Sequence, residues 1–150
     1  MIDYYENQGQ GLPHYINVLR TKNYTYGNHY APHDIAQREF TTGKSRLEIA
    51  RDLGIGFNLV PNLSIEDGIN AGRLVFNRLV LDSNRTADFI DKLARYHKKW
   101  DEKKGIFLDR AEHDETSHAA DVHRYMALVE TEFSITYDQE EFALYSTSYT

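Results

Sequence analysis

The apolar positions of this chain fall into short blocks, and their periods predict strands and helices in alternation. Ile2 to Tyr5 is a run of strand formers closed by the turn-rich stretch Asn7-Gln8-Gly9-Gln10-Gly11. Pro13 to Lys22 predicts a helix, with proline in its first turn and Tyr15, Ile16, Val18 and Leu19 as apolar positions. Tyr24 to Tyr30 predicts a strand stopped by Ala31-Pro32, and Asp34 to Gly43 is polar and irregular. Lys44 to Leu53 predicts a helix with Leu47, Ala50 and Leu53 on one side and Gly54 as the stop. Phe57 to Val60, ended by Pro61, predicts a buried strand.

Ser64-Ile65-Glu66-Asp67 is a helix start, and the helix is expected to run to Phe76 or Asn77. Leu79 to Leu81 predicts a short strand. Phe89, Leu93, Tyr96 and Trp100 recur at helical spacing, so one long helix is expected from Ser83 or Asn84 to Trp100. Gly105 to Leu108 predicts a small strand and Thr116 to Thr131 a last helix. This alternation predicts an α/β architecture, a mostly parallel or mixed sheet with helices on both faces. One domain over residues 1–131 is expected, followed by an acidic, aromatic and hydroxyl-rich tail over 132–150.

Composition narrows the chemistry. A chain of 150 residues, 41% hydrophobic and 13% aromatic, can bury a core without disulfides or a structural ion. The absence of cysteine removes disulfides, thiolate zinc and a cysteine nucleophile, and fits a reducing cytosol. There is no apolar run of about 18 residues to span a membrane, and the start Met1-Ile2-Asp3-Tyr4-Tyr5 lacks the features of a signal peptide. A net charge of −6 argues against non-specific coating of nucleic acid. It is compatible with an enzyme that gathers carboxylates around a metal and touches DNA through one basic patch.

Four places carry candidate chemistry. Thr42-Gly43-Lys44-Ser45 has the end of a phosphate loop, but Arg38 stands where the earlier glycine is needed. A helix-capping loop is the better reading and no bound nucleotide is expected, while Lys44 and Arg46 remain candidates for a DNA phosphate. Asp34 follows a predicted strand end, which suits either a metal-binding carboxylate or an Asx turn or helix cap. The richest segment is His113-Asp114-Glu115-Thr116-Ser117-His118-Ala119-Ala120-Asp121. If it is helical throughout, Asp114, His118, Asp121 and Tyr125 share one stripe beside an apolar one of Ala119, Val122, Met126 and Val129. Acidic groups and an imidazole gathered there suit Mg²⁺ or Mn²⁺. The competing reading makes Asp114 or Thr116 an N-cap and His118 a surface residue. Lys98 and Lys99, within a basic stretch around Tyr96 and Trp100, either follow a phosphate backbone or form the wet face of an amphipathic helix.

The residues together resemble a known family. Ile2-Asp3-Tyr4-Tyr5-Glu6, His29-Tyr30-Ala31-Pro32-His33-Asp34, Thr42-Gly43-Lys44-Ser45-Arg46, Ile65-Glu66-Asp67-Gly68-Ile69-Asn70-Ala71, the segment His113 to Asp121 and Arg124-Tyr125 occur in family order. The chain resembles the C-terminal nuclease domain of the large terminase subunit of tailed bacteriophages over roughly residues 2 to 128. The resemblance implies an RNase H-like fold, a central mixed sheet with flanking helices, of which the first strand is expected to be missing here. It implies endonucleolytic cleavage of concatemeric viral double-stranded DNA, with Asp34 and Asp121 as metal ligands and catalytic residues and His118 beside them. The complete family site holds two Mg²⁺ or Mn²⁺ ions. The family's first metal aspartate is expected to precede this segment; Asp3 and Asp114 are accessory candidates. Expected partners are DNA, the portal or other packaging proteins, and a second copy through an exposed sheet edge. No membrane partner is expected, and the expected location is the bacterial host cytoplasm. The alternative is a catalytically incomplete module that binds DNA or a packaging partner, or oligomerises.

Overall fold

The computed structural model describes residues 1–129; the expected tail lies outside the described residues. It is a small α/β fold with one parallel and one antiparallel pair of strands, and its residues form two compact units.

The first unit spans Glu6–Leu63. Helix α1 (Leu12–Thr21) has proline in its first turn and buries Ile16. Strand β1 (His29–Ala31) pairs in parallel with β2 (Phe57–Leu59), register His29↔Phe57 to Ala31↔Leu59. Parallel strands need a crossover, and helix α2 (Arg46–Asp52) lies in it. Ser45 starts α2 through a capping box: its hydroxyl accepts from the Glu48 N–H at 3.1 Å, and the Glu48 carboxylate accepts from the Ser45 N–H at 2.7 Å. Gly54, at φ 84°, turns the chain out of the helix, a conformation that suits glycine. The buried apolar residues are Ile16, Ala31, Ile35, Ala50 and Val60. The strand expected from Tyr24 is realised only at its end; among the described residues no strand lies beside residues 22–28 to complete a ladder.

The second unit combines Met1–Tyr5 with the chain from Ser64 onward. Ser64 caps α3 (Ile65–Val75), accepting from the Asp67 N–H at 3.1 Å. Helix α4 (Ala87–Arg95) buries Phe89, whose ring meets that of Tyr4 at 5.3 Å between centroids. Strands β3 (Lys98–Asp101) and β4 (Ile106–Ala111) form an antiparallel hairpin, and α5 covers residues 117–129.

Four expectations for this unit are corrected. Ile2 to Tyr5 is not a regular strand, so Asp3 is not on one; the segment is held by single bonds such as Tyr4 N–H to Arg85 O at 3.3 Å. Leu79 to Leu81 is likewise irregular. The helix expected to reach Trp100 ends at Arg95, so Lys98 and Lys99 lie on a strand and not on a helical wet face. The reason is cross-strand pairing. Trp100 sits opposite Phe107, their rings 4.8 Å apart, and Gly105 at φ 64° closes the turn. Finally, α5 begins after Asp114, so that carboxylate is not on the helical stripe of His118 and Asp121.

Candidate functional site

Helix α5 buries Ala119, Ala120, His123 and Ala127, a face rotated from the expected Val122-containing stripe; Val122 is exposed. That face meets α3 where two glycines, four residues apart, leave room. A Cβ on Gly72 would lie 2.9 Å from the His123 ring, and one on Gly68 would lie 3.3 Å from Arg124 Cδ. The His123 Nε2 lies 3.1 Å from the Gly72 carbonyl oxygen. A carbonyl can only accept, so Nε2 carries the proton and donates. Nδ1 is then a buried bare nitrogen without a partner among the described residues. Burial holds the His123 pKa below the ordinary histidine value, and the bond to Gly72 opposes that shift only in part.

Asp121 lies one turn beyond His118 on α5, its side chain 42% exposed, and its Oδ1 accepts from Arg124 Nη2. The Arg124 side chain is only 13% exposed, and its Nε has no partner among the described residues. Tyr96, just past α4, completes the cluster. Burial raises its pKa, Arg124 lowers it, and Asp121 and Asp114 raise it slightly further. Arg124 and Tyr125, present in the sequence motif, were not singled out as site residues there. His123 was missed too; the signal for it was the Gly68/Gly72 spacing opposite a predicted helix.

Asp114 acts as a cap. One carboxylate oxygen accepts from the Thr116 N–H at 2.9 Å and from the Thr116 hydroxyl, and these bonds hold its pKa below the usual carboxylate range. Its own N–H donates to Ser117 Oγ at 3.2 Å. The capping alternative from the sequence is the one the structure shows for Asp114. His118 is exposed.

Asp34 belongs to the other unit. It stands in the 3₁₀ turn His33–Ala36, directly past β1, as a carboxylate at a parallel-strand end was expected to stand. The turn places its carbonyl, not its carboxylate, in a hydrogen bond, accepting from the Gln37 N–H at 3.0 Å; Asp34 is exposed.

The four cationic DNA candidates are in ion pairs: Lys44 with Asp52 at 2.8 Å, Arg46 with Glu39 at 3.2 Å, Lys98 with Asp109 at 2.7 Å and Lys99 with Glu112 at 2.7 Å. The first of these raises the Lys44 pKa. Exposed pairs of this kind are worth little individually and exchange readily for another anion. Thr42-Gly43-Lys44-Ser45 is the helix-capping loop, as its missing early glycine implied.

Among the described residues, no three His, Asp or Glu side chains gather closely enough to hold a metal ion. On α5, Asp121 offers carboxylate oxygens and His118 an imidazole one turn before it. No helix among the described residues is long and apolar enough to cross a membrane. No protein-family model matches the chain, and neither a curated protein nor a solved structure matches it.

Proposed function

We propose that this chain is a metal-dependent DNA endonuclease domain of the phage terminase type, with an RNase H-like fold. The observation that carries the reading is helix α5, which buries one face and leaves His118 and the half-exposed Asp121 on another. The strand-end position of Asp34 and the order of the sequence motifs add support. In this reading Mg²⁺ or Mn²⁺ supplies an activated water and stabilises the leaving oxygen of a phosphodiester. Asp121 on α5 and, in the other unit, Asp34 are each a candidate oxygen ligand, and His118, exposed to solvent, is the candidate proton carrier. Lys44, Arg46, Lys98 and Lys99 trade their carboxylate partners for phosphates of concatemeric viral DNA. The test is nicking of supercoiled plasmid with Mn²⁺ or Mg²⁺, lost in Asp121→Ala. No cleavage by the wild type with either ion, at high protein concentration, ends this reading.

A second reading, a DNA-binding module without catalysis, is favoured by the β3–β4 hairpin. Trp100 and Phe107 are 46% and 60% exposed there, and Lys103 and Lys104 occupy its turn. Exposed rings beside cations suit stacking on bases. Salt-sensitive DNA binding that survives loss of both Asp34 and Asp121 supports it; strict dependence on the two carboxylates excludes it.

A further inference from the structure

The β3–β4 hairpin carries the one tryptophan of the chain. Trp100 and Phe107 stand opposite each other on it, ring centroids 4.8 Å apart and edge to face. A cross-strand aromatic pair of this kind usually turns its rings onto a core. Here the two remain 46% and 60% exposed. Water meets ring surface that a flat apolar partner would cover favourably.

Charge narrows the partner. Lys103 and Lys104 stand in the turn, one residue pair beyond the rings. Asp101 Oδ1 accepts from both of their backbone N–H groups, at 3.0 and 3.1 Å, which fixes the loop without using their ammonium groups. Both lysines are exposed and have no ion-pair partner among the described residues. Lys98 and Lys99, by contrast, have to leave Asp109 and Glu112 before they meet a phosphate. Glu102 is the acid of the turn, so the two lysines leave it with a net positive charge. A duplex offers phosphates to such lysines but hides the faces of its bases in the stack. A single strand offers both.

We propose that the outer face of the β3–β4 hairpin binds a single strand of nucleic acid, with Trp100 and Phe107 stacking on bases and Lys103 and Lys104 meeting phosphates. This rests on the DNA-binding reading of the hairpin and needs neither Asp34 nor Asp121.

The tryptophan is its own probe. Its fluorescence is followed while the full chain is titrated with an oligothymidylate of about twelve nucleotides, and separately with a duplex of the same length and with polyglutamate. Oligothymidylate is expected to quench Trp100, to bind at least about fivefold more tightly than the duplex, and to bind more weakly as salt rises. Phe107→Ala is expected to weaken that binding roughly tenfold. The double variant Lys103→Gln with Lys104→Gln leaves the rings and the backbone bonds to Asp101 in place, so it serves if Phe107→Ala does not fold. It is expected to bind about fivefold more weakly, with a shallower salt dependence. Equal affinity for duplex and single strand, or affinity indifferent to Phe107 and to both lysines, overturns the single-strand site and leaves the DNA-binding reading standing. Polyglutamate quenching as well as oligothymidylate overturns it in favour of an acidic peptide. Binding of neither nucleic acid overturns both.

Discussion

Asp121 and Asp34 are the same residue type with the same proposed task, in opposite settings. Asp121 sits on a helix whose next turns are pressed onto two glycines, beside a nearly buried guanidinium that it neutralises. Asp34 stands exposed on a single 3₁₀ turn, its carboxylate outside the hydrogen bonding that closes the turn. Chemistry and stability are therefore entangled at one carboxylate and separable at the other. A lost activity after changing Asp121 has two explanations; after changing Asp34 it has one.

The sharpest way to break the contrast is at the seam itself. Gly72→Ala places a methyl 2.9 Å from two atoms of a buried imidazole and pushes on the bond to the Gly72 carbonyl. Overpacking of that kind is expected to cost about 1–3 kcal/mol in urea unfolding. A midpoint equal to wild type would show that α5 is not closely seated on α3, and the contrast would dissolve. Asp121→Ala is expected to cost less, about 1–2 kcal/mol, because the guanidinium it abandons is largely buried while Asp121 itself is half in water. Asp121→Asn keeps a neutral acceptor and is expected to recover part of that loss in the same unfolding assay.

The sequence showed much of this, but not the parts that depend on pairing. Capped helices were legible because their signals are local: Ser64 with Asp67 sits at the start of α3 as its spacing required, and the loop that ends in Ser45 caps α2, although the helix was expected to begin at Lys44. The end of α4 was not legible. Phe89, Leu93, Tyr96 and Trp100 satisfy a helical period, yet Trp100 also satisfies a strand period once Phe107 lies opposite, and no local feature decides between them. Asp114 illustrates the same limit at the candidate site. Its distance from His118 and Asp121 fits a shared stripe only if the helix has already begun, and the turn at Thr116 begins it later. The roles of His123 and Arg124 depend on the glycines at 72 and 68, more than fifty residues away in sequence. A single strand or helix read by itself carries no trace of such a contact.

A gentler probe of the seam is pH, applied to metal-free protein. His123 has a folded-state pKa below its unfolded value because burial penalises the imidazolium. Above the unfolded value, about 6.5, both states hold it neutral and its contribution is complete. As pH falls below that value the unfolded chain takes up a proton that the native chain refuses, so stability declines until the depressed folded value is reached. The carboxylates with lowered pKa, Asp114 and Glu112 among them, stay ionised through this window and act only at lower pH. Urea midpoints measured from about pH 7.5 to 5.5 should fall for wild type and fall less for His123→Asn. Equal slopes in the two proteins would show that the histidine is not the group responsible.

The smallest expected effect separates the two carboxylates most cleanly. Asp34→Ala removes an exposed side chain that takes no part in the hydrogen bond of its turn, which uses the backbone carbonyl. Its unfolding free energy is expected to stay within about 0.5 kcal/mol of wild type, the range of ordinary surface substitutions. Plasmid nicking, in the same preparation, is expected to disappear. A marked loss of stability would mean that Asp34 is a structural cap after all, which was the competing reading of a carboxylate past a strand. Unchanged stability with unchanged nicking would remove Asp34 from the reaction and leave Asp121 as the only carboxylate of the proposed pair with a claim on the metal.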